Sequence, residues 1–329
     1  MTGNSRDPFV NCFYTPLLSV ADYYNLNIFQ IIINPFFRYE YVPEIAYPTG
    51  YLSVKSESLI DLNIVLDSVG IEIIHINSKL DDLFDVIREC IDNNSPVLVH
   101  IDMYYQAGRR DNYYKKHDGS HYVFVYGYND FDETVYVLDD VKGYDEYIIS
   151  YKDLSIYYQG LFDFCNLSYE TNATIHKFQK KESSIHNVDD ISQIKNFALP
   201  MIQNKADILN GLEELNGFIE LQHSVKNDLD VISVLNNNIL HKQSEKYQYI
   251  FLDEYNFYTL DYKSIIQNSL DVIVENWIII RSIITMNLFR GRVYSSQIQN
   301  SVISSIEEIY NNEKTLHSHL FEILEKWTA

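Results

Sequence analysis

Apolar residues recur at helical spacing from the start of the chain, at Phe13, Leu17, Leu18, Ala21 and Tyr24. They predict a first helix over Cys12–Asn27, with Pro16 tolerated in its first turn. The same spacing predicts helices over Ser58–Val69, stopped by Gly70, and over Asp81–Ile91. The acidic start of the latter suits the positive end of a helix dipole. Between and after these helices the period changes. Ile71–Ile76 and the β-branched run Pro96–Ile101 read as strands. A polar, aromatic insertion, Met103–Ser120, follows. Then His121–Tyr128 and Thr134–Asp139 form two strand runs joined by Asn129–Glu133, a hairpin signal. Tyr144–Tyr151 and Leu161–Leu167 read as further strands. Helices followed by a run of strands predict an α+β architecture, with helices packed on a mostly antiparallel sheet.

The pattern changes after the polar stretch Gln179–Asn187, which reads as a linker. From Val188 onward helical periodicity dominates. Asp261–Phe289 and Ser295–Trp327 are each long enough for a major helix, with Gly291 between them as a C-cap and turn. The expected division is therefore a catalytic domain over residues 1–178 and an all-α domain over residues 188–329. No repeat or concentrated catalytic motif marks the second. It suits a lid, a partner-docking module or a surface for homo-oligomers.

Composition narrows the function classes. A chain of 329 residues, 46% hydrophobic and 22% charged, is long enough for two ordinary globular cores. Its net charge of -21, from 25 basic and 46 acidic residues, argues against nucleic acid as a partner. The charge suits cationic small molecules such as amines, and it serves solubility as well. The three cysteines, Cys12, Cys90 and Cys165, have no CxxC spacing and fit a reducing compartment. The start, MTGNSRDPFVNC, lacks the basic and apolar regions of a secretory signal. The longest apolar run, Trp277–Phe289, is interrupted by Arg281 and is too short to span a bilayer. These features lead to the expectation of a cytoplasmic protein without a membrane partner.

Three short pieces carry chemistry. Cys12, preceded by Asn11, opens the first helix, where unpaired N–H groups and the helix dipole favour a thiolate. Alone it would read as a small buried hydrophobe. His121 opens a strand after Gly119-Ser120, which puts an imidazole at a sheet rim. Asp139 and Asp140 close the next strand. If the hairpin centres on Asp130, paired residue numbers sum to 260 and His121 faces Asp139, within reach of its carboxylate. A register shift of one residue would select Asp140 instead. Singly, each piece has a plain structural reading. Together they give nucleophile, base and orienting carboxylate in one chain order.

That order resembles the papain-like thiol enzymes, and within them the bacteriocin-leader peptidases and the butirosin-pathway acyltransferases. The resemblance covers roughly residues 8–165 and implies catalytic roles for Cys12, His121 and Asp139. It also implies transfer of an acyl chain from a carrier-protein thioester to a small amine. Any phosphopantetheine would then be carried by the partner, and the chain itself would need no cofactor. The leader peptidases usually carry a Gln about six residues before the Cys. Arg6 stands there instead, which leaves Asn11 and the Cys12 backbone N–H as oxyanion donors and weakens the case for peptidase activity. No P-loop occurs. A peptidase or thioesterase with the same triad, or a degenerate binding module, remain the alternatives.

The insertion adds Arg109, Arg110, Lys115 and Lys116, a basic cluster in an acidic chain. It suits docking of an acidic carrier protein, or equally a solvated loop. His117, a rival base, sits among charged residues and is expected in solvent. Cys90 reads as core and Cys165 as a strand residue. His317 and His319, two apart on a helix, point to different faces, and no metal site is expected.

Overall fold

The computed structural model describes residues 14–42, 51–106, 117, 121–139, 146–168, 172–181, 190–221, 229–290 and 295–329. In chain order the described helices and strands are α1 Tyr14–Tyr23, α2 Phe29–Ile33, β1 Pro35–Val42, β2 Tyr51–Ser58, α3 Leu62–Val69, β3 Ile71–Ile76, α4 Leu83–Asp92 and β4 Val97–Ile101. They continue with β5 His121–Asn129, β6 Thr134–Leu138, β7 Glu146–Ser150, α5 Tyr151–Phe164 and β8 Ile175–Lys180. The last five are α6 Asp190–Gln203, α7 Lys205–Leu221, α8 Leu229–Glu254, α9 Leu260–Phe289 and α10 Ser296–Thr328.

The chain divides into two compact units. One comprises Met1–Ile31 and Asn63–His186, the other Ile32–Leu62 and Asn187–Ala329. One division falls between His186 and Asn187, and neither unit is continuous in sequence. The segment Ile32–Leu62, which holds the hairpin β1–β2, goes with the helices.

The first unit is built on a six-stranded sheet in the order β3-β8-β4-β5-β6-β7, antiparallel at every step. Strand side chains alternate between faces. Val97, Val99 and Ile101 of β4, Val123 and Val125 of β5, and Val135 and Val137 of β6 thus line one side. Leu83, Ile87 and Cys90 of α4, and Leu154, Tyr158 and Leu161 of α5, close over them in one core. Gly70 ends α3 at φ 85°, a left-handed turn that glycine adopts without steric cost.

Two expectations fail here. Leu161–Leu167 is not a strand. Leu161 belongs to α5, whose first turn is capped by Ser150 accepting from the Asp153 N–H at 3.0 Å. Leu154, Tyr158 and Leu161 then recur at helical spacing, and helix packing overrides the apolar, aromatic look of the segment. Nor does Gln179 start a linker. It lies in β8, which adds itself between β3 and β4 and is thus an inner strand.

In the second unit the hairpin β1–β2 is joined to α6–α10. Asn238 of α8 reads the β2 backbone, accepting from Val54 N–H at 2.7 Å and donating to Leu52 C=O at 3.1 Å. At its centre Lys242 contacts Glu245 and Glu313, both at 2.7 Å, and all three side chains are at most 2% exposed. Tyr39 donates to Glu313 at 2.6 Å, and His317 lies 3.2 Å from the same carboxylate. Burial raises the Glu245 carboxyl against the pull of Lys242. For Glu313 burial also pushes upward, but Lys242 and His317 outweigh it and hold the acid down at about 2. Helix α9, at 30 residues with a mean hydropathy of 1.5 in its most apolar window, has the length and composition to cross a membrane. That corrects the reading from Trp277–Phe289 alone. Its Ile266, Leu270, Ile273, Trp277 and Ile280 are buried inside the unit.

Candidate active site

The ends of β4, β5 and β6 meet at one edge of the sheet. Ile101, the last residue of β4, pairs with His121, the first of β5. The His121 ring is 4% exposed and the Asp139 carboxylate 2%, and Nε2 of the histidine lies 2.7 Å from Oδ1 of the acid. A carboxylate accepts, so Nε2 carries the proton and Nδ1 is the nitrogen turned to other work. The other carboxylate oxygen, Oδ2, accepts from Tyr147 O–H of β7 at 3.0 Å and from the Gln106 amide. Gln106 also donates to the Tyr147 oxygen at 3.1 Å and is itself 2% exposed. A buried carboxylate is costly unless its lone pairs are used. Here the imidazole, an amide and a phenol use them together.

The register that brings His121 and Asp139 together differs from the expected one. Phe124 pairs with Leu138 and Val125 with Val137, but Gly127 pairs with Tyr136, so the ladder slips at a bulge between Val125 and Gly127. Paired numbers thus sum to 262 and then 263, not 260. Continuing the ladder one step sets Asp139 opposite Val123. His121 is then its diagonal neighbour on the same face, a spacing that these two side chains bridge. The turn sits in Asp130–Glu133, with Asn129 Oδ1 accepting from Phe131 N–H at 2.9 Å.

Other sequence-derived residues fall in three groups. Cys12, Asn11, Arg109, Arg110, Lys115, Lys116 and Asp140 lie outside the described residues. Cys90 is 3% exposed in the sheet core, and burial pushes its thiol up, away from reactivity. Cys165 caps the end of α5 rather than sitting in a strand. Among the described residues no group of three or more His, Cys, Asp or Glu is placed to hold a metal ion.

His117 is exposed, as expected, but it is not without partners: its Nδ1 lies 2.7 Å from Oδ2 of Asp102, and its ring is stacked 4.0 Å from Tyr104 on one face and 4.0 Å from Phe164 on the other. Asp102 directly follows β4, so this pair shares the sheet end with His121. Sequence reasoning also missed Gln106 and Tyr147. Gln106 is the one glutamine of the insertion, and its amide is the only available hint. Tyr147 gives no signal, because 28 tyrosines are spread along the chain.

Residues 33–140 match the family of butirosin biosynthesis protein H, at its N-terminal part. The matched stretch takes in β1 to Asp139, and with it His117, His121 and the Gln106 that holds Asp139. It covers a third of the chain and supports the likeness to the butirosin-pathway group already suggested by the residues. No curated protein matches the chain.

Proposed function

We propose that this chain is a thiol-dependent acyltransferase of papain-like fold. It takes an acyl group from a carrier-protein thioester and passes it to an amine, in the making of a secondary metabolite. The observation that carries the reading is the buried His121–Asp139 pair, locked by Gln106 and Tyr147 at the rim of an antiparallel sheet. The family likeness over residues 33–140 supports the butirosin-type setting.

In this reading Cys12 is the nucleophile. Its thiolate adds to the thioester carbon, with Asn11 and the Cys12 N–H facing the oxyanion. The thioester C–S bond breaks, and Nδ1 of the His121 imidazolium gives its proton to the departing phosphopantetheine thiol. The amine nitrogen then bonds to the acyl carbon, and the bond to Cys12 breaks with its electron pair returning to sulfur. His121 accepts the proton lost by the nitrogen as the amide forms. Asp139 holds the ring and balances its charge. A thioester is already activated, so no ATP site is called for. Arg109, Arg110, Lys115 and Lys116 meet the acidic carrier. The reaction is placed in the cytoplasm, with no membrane or nucleic acid involved.

The test is intact-mass analysis after mixing with an acyl-loaded carrier protein. The expected result is a mass gain on Cys12 that an amine discharges as amide and that Cys12→Ala abolishes. Discharge to water at the same rate with and without amine would make the enzyme a hydrolase. No gain, together with Cys12 alkylated no faster than a free thiol, would make it a binding module.

A further inference from the structure

An alkyl amine reaches an enzyme at neutral pH as its ammonium, since such groups titrate near 10.4. Two protons must leave its nitrogen before an amide exists: one to free the lone pair, one as the bond to carbon forms. His121 accounts for one of them. The structure holds a second built imidazole at the same sheet end.

Asp102 is fully buried. Its Oδ1 accepts from Tyr104 N–H at 3.1 Å, and its Oδ2 lies 2.7 Å from Nδ1 of His117. Its own N–H donates to Tyr157 C=O at 2.9 Å, which ties the residue to α5. Helix α5 comes this near because residue 160 is glycine. A Cβ there would stand 2.6 Å from Oδ2. The His117 ring is sandwiched, with Tyr104 almost parallel to it at 6° and Phe164 at 21° on the opposite face. Yet the side chain keeps 30% exposure. With Nδ1 donating to the acid, Nε2 keeps its lone pair, and among the described residues it makes no hydrogen bond. A histidine in a solvated loop needs neither a buried acid nor two rings to fix it. An acid–base group needs both a fixed tautomer and an accessible nitrogen.

We propose that His117, positioned by Asp102, receives the acceptor amine as its ammonium and takes the first of its two protons, leaving the second to His121. The inference rests on the acyl-transfer reading. His117 and His121 are four residues apart, so at most about 14 Å of extended chain separates their Cα atoms. The bound ammonium gives a proton to Nε2 and becomes a free amine. Its nitrogen bonds to the acyl carbon, the bond to sulfur breaks toward Cys12, and the second proton passes to His121. The His117 imidazolium returns its proton to water at its exposed edge. Tyr104, Tyr105 and Asp102 are the other polar groups around the ring, and the carboxylate offsets the imidazolium charge.

The test compares two acceptors on acyl-enzyme made with a small N-acetylcysteamine thioester. Butylamine arrives charged, whereas methoxyamine is already a free base at neutral pH. For His117→Gln the expected result is normal loading of the enzyme, aminolysis by butylamine down about 100-fold, and aminolysis by methoxyamine near wild type. The butylamine rate of the variant should climb tenfold per pH unit toward the amine's own titration, as the free-base fraction does. Asp102→Asn should show the same split, more weakly. Equal losses on both amines, or no loss on either, would overturn the proposal while leaving acyl transfer standing. A wild type that never loads would remove the acyl-transfer reading, and this one with it.

Discussion

Gly160→Ala is a one-carbon change whose sign is set by geometry. In an open helix the substitution stabilises by about 1 kcal/mol, because alanine has the better helix propensity. At residue 160 the new Cβ would meet Asp102 Oδ2 at 2.6 Å, Cβ at 2.9 Å and Cγ at 3.2 Å. Asp102 is fully buried and cannot turn away into solvent. Overpacking of that kind costs about 1–3 kcal/mol. If the carboxylate then loses His117, a charge-assisted hydrogen bond worth about 1.5–3 kcal/mol goes too. The net expectation is a loss of about 2 kcal/mol or more. Gly217→Ala in α7 is the control, since nothing lies within 4 Å of its added Cβ, and it should be neutral or stabilising by up to about 1 kcal/mol. The probe matters. Both tryptophans, Trp277 and Trp327, belong to the helical unit, so their fluorescence follows the wrong unfolding event. Hydrogen exchange of α5 amides in urea reads the unit that carries Gly160. A Gly160→Ala protein as stable as wild type in that readout would refute the close approach of α5 to Asp102, and with it the fixed His117. If the approach is real, the variant should also share the His117→Gln defect toward butylamine.

Three further outcomes follow from named contacts. Asp139→Asn should slow amide formation by about 100-fold or more, since an amide cannot balance an imidazolium, whereas Asp140→Asn should cost far less. A larger effect from Asp140→Asn in a steady-state assay would reassign the orienting acid. Lys242→Met should destabilise the helical unit by about 3–5 kcal/mol, because Glu245 and Glu313 keep their burial and lose their cation. Tryptophan-monitored urea melts measure this, and an unchanged midpoint would show that the carboxylates are not the burden supposed. Burial, with His75 beside it, pushes His176 down to about 4 from its ordinary 6.5. The unfolded chain therefore binds the extra proton first. Stability should fall as the pH drops from 6.5 to 4, by at most about 3 kcal/mol, and His176→Gln should flatten that part of the wild-type curve. Parallel curves for the two proteins would place the titration elsewhere.

The elements that were legible in the sequence are those whose period was unbroken. Helices α4, α9 and α10 begin and end within a residue or two of the expected positions, because a long apolar stripe and a clear start or stop leave little choice. The hairpin β5–β6 was legible from alternation and its polar turn. The β1–β2 hairpin, by contrast, alternates Phe, Tyr and Val with Arg, Glu, Lys and Ser, yet nothing local says that it joins helices far along the chain. Strand β8 carries His176, Lys177, Gln179 and Lys180, and its end from Gln179 reads as the start of a linker although the strand lies inside the sheet. Its partners, not its own composition, make it a strand.

The candidate site divides the same way, and the division has a physical cause. That His121 and Asp139 share one face was readable only together with the register, because an even pairing sum sets odd residues against odd ones whereas an odd sum would have selected Asp140. That they are diagonal rather than opposite was not, because it depends on the bulge between Val125 and Gly127, and a bulge leaves only a glycine in the sequence. Gln106 and Tyr147 were invisible for a stronger reason. They serve the carboxylate and not the chemistry, and any donor at those points in space would do. The two reach it from β7 and from the turn after β4, elements that no local pattern links to β6. His117 is the instructive case. Its charged neighbours Lys115, Lys116 and Asp118 argued for solvent, and the ring is exposed, but it also meets a buried acid fifteen positions earlier, which no local pattern announces. A sequence shows which residues can hold a proton. Which of them is held still enough to pass it on depends on such distant supports: here Asp102, the rings of Tyr104 and Phe164, and the missing side chain at Gly160.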